Sequence, residues 1–134
     1  MQAWIILADY SHVWYACNEE TIFEDRLFFV GKNLDVVREQ LKAIINNPLP
    51  VIQDQFELEC DRYMFYPPKD NDEVVLQIRL VKDEPYEINA YINFKLILLD
   101  LHEHSTLQTS IPDEIILDMR KQLSDKFGGN DHVD

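Results

Sequence analysis

The sequence predicts an α+β fold: a mainly antiparallel sheet with helices on one face, in the order β-β-α-β-β-β-α. Three observations carry the prediction. Several segments alternate apolar and polar residues with the period of a half-buried strand, two others repeat apolar residues at helical spacing, and the connections between them are short and polar. At 134 residues and 46% apolar, the chain suits one domain over residues 1 to 129, followed by a frayed polar tail over 130 to 134.

Residues 2 to 10 and 22 to 30 are apolar, aromatic and β-branched and read as strands. Gly31 ends the second. Asn33 is placed to cap a helix in which Leu34, Val37, Leu41, Ile44 and Ile45 form one stripe, stopped by Asn46, Asn47 and Pro48. A third strand is expected from Phe56, with Phe56, Leu58 and Cys60 on one face and Glu57, Glu59 and Asp61 on the other. Pro67 to Asn71 is a turn. Leu76, Ile78 and Leu80 then alternate with Gln77, Arg79 and Val81, and the even positions from Ile88 to Leu98 alternate with Asn89, Tyr91, Asn93 and Lys95. Both core faces carry even numbers, so the hairpin around Asp83-Glu84-Pro85 must hold an odd number of residues. In the final helix, Ser110 and Asp113 resemble a capping box, Ile116, Met119, Leu123 and Phe127 form the stripe, and Gly128-Gly129 ends it. The open face of the sheet is then expected to present Glu57, Glu59, Asp61, Tyr63, Phe65, Gln77, Arg79, Val81, Asn89, Tyr91 and Asn93.

The chemistry is dominated by charge. Twenty-five acidic residues against 12 basic ones leave a formal charge of −13, and the excess lies in blocks. Asp9, Glu19, Glu20, Glu24 and Asp25 precede the first cation, Arg26. Asp54, Glu57, Glu59 and Asp61 lie between Lys42 and Arg62 without a cation among them. Such a surface keeps a protein dissolved and attracts positive partners. Direct nucleic-acid binding is disfavoured, because affinity for phosphate needs clustered Lys and Arg. With three glycines there is no glycine-rich phosphate loop, and no CxxC, HExxH or Gly-x-Ser-x-Gly occurs. Cys17 and Cys60 read as small core residues of a cytoplasmic protein. The N-terminal run reaches Asp9 too soon for a secretion signal or a membrane span.

Two constellations could carry catalysis. Asp100, His102 and His104 share a face if their strand persists to 104, and two imidazoles with a carboxylate can bind zinc or iron(II); fraying into a solvated loop is the competing reading. Cys17 with His12 and Asp9 is the other, a thiol and a base close in sequence. Neither outweighs a binding role, so no catalytic residue, metal or cofactor is assigned. The ladder Glu57, Glu59 and Asp61, with Tyr63 and Tyr91 as aromatic anchors, forms the first candidate partner-binding patch. Glu19, Glu20, Glu24 and Asp25 form the second. The ladder is a mere solvated surface if neighbouring cations such as Arg79 or Lys95 neutralise it.

The run Glu24-Asp25-Arg26-Leu27-Phe28-Phe29-Val30-Gly31-Lys32-Asn33-Leu34-Asp35-Val36-Val37-Arg38-Glu39-Gln40-Leu41 looks like the strand, glycine turn and capped helix of HicB-type antitoxin modules. In size and acidity the chain is also similar to small toxin-immunity proteins. The expected function is therefore an acidic inhibitor that neutralises a basic partner, such as a nuclease toxin, by occluding its cleft. Viral inhibition of a host nuclease, a small enzyme with or without a metal, and a subunit that dimerises through the open sheet face are the alternatives.

Overall fold

A computed structural model describes residues 1–13, 19–68, 73–83 and 88–127, with the backbone alone for 12–13, 19–24 and 88. The chain is α+β. Its strands are β1 (Gln2–Val13), β2 (Glu19–Gly31), β3 (Arg62–Tyr66), β4 (Val74–Lys82), β5 (Ile88–Asp100) and β6 (Ser105–Gln108). They form one six-stranded sheet in the order β2-β1-β5-β4-β3, with β6 pairing β5 beyond the end of β4. Every recorded strand pair is antiparallel. The helices are α1 (Leu34–Asn46), a π-helical turn (Pro50–Gln55) and α2 (Asp113–Phe127). Among the described residues no helix is long and apolar enough to cross a membrane.

The helical stripes behave as their spacing requires. Asn33 accepts a hydrogen bond from the Val36 N–H at 3.0 Å, and Val37, Leu41, Ile44 and Ile45 are buried. In α2, Ile115, Ile116, Met119 and Leu123 are buried, whereas Phe127, expected in the stripe, is 37% exposed at the helix end, its ring 5.7 Å from that of Phe65. The buried residues of both helices share one core with the even positions Ile6, Ala8, Ile78, Leu80, Ile92, Phe94 and Leu96 of the central strands. Gly31 permits a close approach of β2 to α1, since a Cβ there would stand 2.9 Å from Val37 Cγ2. The β4–β5 hairpin has the expected parity: Leu80 pairs Ala90 and Lys82 pairs Ile88, which leaves residues 83 to 87 between the strands.

The third strand differs from expectation. Phe56 to Cys60 is not in the sheet, and β3 begins only at Arg62. The segment leaves a wide helical turn in which the Phe56 N–H donates to the Val51 carbonyl. Glu57 then takes a left-handed φ of 54°, and the Leu58 N–H reaches back to Ile52 at 2.9 Å. Burial still alternates, because Phe56, Leu58 and Cys60 pack on the core while Glu57, Glu59 and Asp61 face water. Entry into the sheet at Arg62 shifts the phase by one residue. Phe65, 1% exposed, and Tyr63 therefore lie on the core side, paired with Ile78 and Leu80. The observed order carries β6 and the π-helical turn in addition to the predicted elements.

Candidate functional site: the helix-distal face of the sheet

The sheet face opposite the main core is built by register. Asp9 pairs Asn93, which pairs Gln77; Ser11 pairs Tyr91, which pairs Arg79; and Leu7 pairs Lys95. Successive side chains of a strand point to opposite faces, so these odd-numbered residues share one surface, joined from β3 by Met64 and Tyr66. All of the polar ones are at least partly exposed.

A hydrogen-bonded network crosses this surface. Gln77 Nε2 donates to Asn93 Oδ1 at 2.7 Å, and Asn93 Nδ2 donates to Asp9 Oδ1 at 2.8 Å. Arg79 donates through Nε and Nη2 to Asn89 Oδ1 at 2.9 and 2.7 Å and through Nη1 to the Tyr66 hydroxyl at 3.3 Å. Next to it, Lys95 Nζ lies 3.1 Å from Asp25, 3.4 Å from Asp9 and 3.5 Å from Glu73. Burial works against the Lys95 charge, but the hydrogen bond and the field of Asp25, followed by those of Asp9, outweigh it and raise the pKa.

Among the described residues, one ammonium thus stands among three carboxylates. The same pattern recurs between the helices. Arg38 lies within ion-pair distance of Asp35, Glu114 and Asp118, the shortest contact being 3.0 Å from Nε to Asp118 Oδ2. These two atoms are buried and meet as charges, outside hydrogen-bond geometry.

Beyond Lys95 the same face turns apolar. Val30, Ile5 and Ile97 lie side by side across β2, β1 and β5, and Leu27 and Leu7 occupy the next row. Leu27 and Val30 are 61% and 48% exposed, whereas Ile5 and Ala3 of β1 are buried, at 4% and 3%. At the end of the stripe, Ala3 and Val30 enter the wall of a concavity of about 470 Å³, completed by Met1, Val36, Leu101 and Lys32 among others.

The residues expected to bind a partner are dispersed. Glu57, Glu59 and Asp61 are not on the sheet face, because their segment stays outside the ladder. Glu59 pairs with Lys82 at 3.2 Å, and Asp61 accepts the Asp83 N–H at 2.7 Å. The cations nearest this segment are thus Lys82 and Arg62, while Arg79 and Lys95 are engaged elsewhere. Tyr63 packs against the core, with its ring 5.9 Å from that of Phe65. Tyr91 does lie on the helix-distal face, opposite Arg79. Of the second patch, Asp25 reaches Lys95, and the side chains of Glu19, Glu20 and Glu24 lie outside the described residues.

Of the two catalytic constellations, the first dissolves and the second lies largely outside the described residues. Strand β5 ends at Asp100, whose Oδ1 accepts the N–H groups of His102 and Glu103, and His104 adopts a left-handed φ of 57° in the turn to β6. The Asp100 carboxyl is held below its ordinary pKa, chiefly by the Glu103 N–H. Among the described residues no group of His, Cys, Asp and Glu could hold a metal ion. Cys17 and the His12 side chain lie outside the described residues, and Asp9 is committed to Lys95 and Asn93. Sequence reasoning missed Asp9, Glu73 and Lys95 as a group. The available signal was apolar Ile5, Leu7, Ile97 and Leu99 at odd positions in strands whose core parity is even.

Comparison with family models, with curated proteins and with solved structures finds no match to the chain.

Proposed function

We propose that this chain is a non-enzymatic, acidic binding protein that neutralises a basic protein partner, such as a nuclease toxin, by occluding its positive cleft. The observation that supports this reading is the sharing of single cations: Lys95 and Arg38 each stand within ion-pair distance of three carboxylates. Two described cations are thus each shared among three carboxylates, in a chain whose formal charge is −13. A basic partner is drawn in by that field, and association is fastest at low salt. The relevant carboxylates become Asp9, Asp25 and Glu73 on the sheet, in place of the ladder at 57 to 61.

The test is capture from the native host on immobilised wild-type protein and on the variant Asp25→Asn/Glu73→Gln. A basic protein should be retained by the wild type and released near 1 M salt, where the Debye length falls to about 3 Å. Retention by the variant should be weaker, and the captured protein's own activity should be inhibited stoichiometrically. Equal retention by the two baits, or retention that salt does not affect, refutes the proposal.

A further inference from the structure

Taking the proposed role as an acidic binder as its basis, we infer that the docking surface is the apolar stripe Leu27, Leu7, Val30 and Ile97, which flanks the buried Ile5 (4% exposed), with its terminal concavity. Its occupant is a basic protein segment that carries a large apolar anchor flanked by arginine or lysine. Charge chooses the occupant. At −13, a second copy of this chain would bring the carboxylates around Lys95 against their own kind, whereas a cationic segment relieves them.

Shape makes the same choice. The stripe is flat, but at Ala3 and Val30 it opens into the concavity of about 470 Å³, which has room for an indole or a branched aliphatic side chain. Ala3 and Lys95 are four residues apart along the sheet, since Ala3 pairs Leu99, Ile5 pairs Ile97 and Leu7 pairs Lys95. At about 3.3 Å per residue, the anchor and the cations of the occupant are then roughly 13 Å apart, or four residues of extended chain. Anchors buried at the centre of an interface carry most of its affinity, while charges at the rim set the rate and the salt dependence. Leu27 and Val30, 61% and 48% exposed, provide the apolar floor between the two.

The probes are three synthetic peptides: one with a tryptophan four residues from an Arg-Arg-Arg cluster, one with the tryptophan replaced by serine, and one with the arginines replaced by serine. Affinity is measured at two salt concentrations, and binding is mapped by backbone amide shifts. The first peptide should bind at least tenfold more tightly than the second, with shifts centred on Ala3, Ile5, Leu27, Val30 and Ile97. Val30→Glu should remove that gain while leaving the distant amide spectrum unchanged, and Leu27→Ser should reduce it. Equal affinity of the first two peptides, shifts centred on the Arg38 cluster, or concentration-dependent shifts of this face without peptide would overturn the inference; the last would make a second copy the occupant. If the arginine-only peptide binds in a salt-sensitive manner that Asp25→Asn/Glu73→Gln abolishes, and tryptophan adds nothing, this surface fails while the acidic-binder reading survives. If no arginine peptide binds in a salt-sensitive manner, that reading fails as well.

Discussion

Replacing Lys95 by methionine keeps most of the side-chain volume and removes the ammonium that, among the described residues, Asp9, Asp25 and Glu73 share. At an effective dielectric constant of about 20, a unit pair near 3.3 Å is worth roughly 5 kcal/mol, and summing three such pairs would overstate the case because the carboxylates repel one another and the lysine is partly desolvated. Exposure brackets the net value. Breaking a buried pair costs about 3–5 kcal/mol and an exposed one up to about 1 kcal/mol. Lys95 and Asp9 are 21% and 20% exposed, whereas Asp25 and Glu73 are 48% and 43% exposed. The expected loss at pH 7 is therefore about 2–3 kcal/mol, read from urea unfolding followed by circular dichroism. Adding Asp9→Asn to the variant should recover part of the loss. A loss below about 1 kcal/mol at pH 7, or no recovery on adding Asp9→Asn, would refute the reasoning.

Phe65→Ala should cost about 3–5 kcal/mol, while Tyr91→Ala, on the part-exposed face, should cost clearly less in the same urea titration; similar losses would mean the face assignment of β3 is wrong. Glu57→Gly should raise stability by up to about 1 kcal/mol, because the residue holds a left-handed φ of 54° that glycine adopts without steric cost, and destabilisation would show that the Glu57 side chain supports the turn. On the alkaline side, burial raises the pKa of Tyr10, burial and then the Asp61 charge raise that of Cys60, and Lys95 is raised by its carboxylates despite its burial. Each folded-state pKa lies above its ordinary value, so these contributions are full below the unfolded pKa and are lost as pH rises through the folded one. Unfolding midpoints should therefore fall as pH rises above about 9, and Cys60 should react slowly with a thiol reagent at pH 8. A midpoint that rises in that range, or immediate labelling of Cys60, would contradict the assignment.

Legibility followed the range of the interaction. Asn33 as helix cap, the stripes of α1 and, up to Leu123, of α2, and the odd-length hairpin between β4 and β5 were readable because each depends on residues close in the chain or on parity across one hairpin. The segment from Phe56 to Asp61 was misread for a definite reason: alternation reports which side of a chain is buried, and an extended segment lying on a core alternates without pairing to a strand. That error propagated. Once the phase shifts at the entry to β3, Tyr63 and Phe65 move to the core side, and Met64 and Tyr66 take the positions expected for them.

By itself the sequence determined the α+β class, the helical faces, the even-numbered core of the central strands and the size of the negative excess, because composition and periodicity are properties of the chain. Only the tertiary structure decided where that charge is concentrated. Asp9, Asp25, Glu73 and Lys95 come from β1, β2, the residue before β4 and β5, and they meet because two register relations place Leu7 and Val74 on either side of Lys95. Register is a contact between segments remote in sequence, and no local pattern specifies it. Neutralisation, likewise, is set by distance in the folded state.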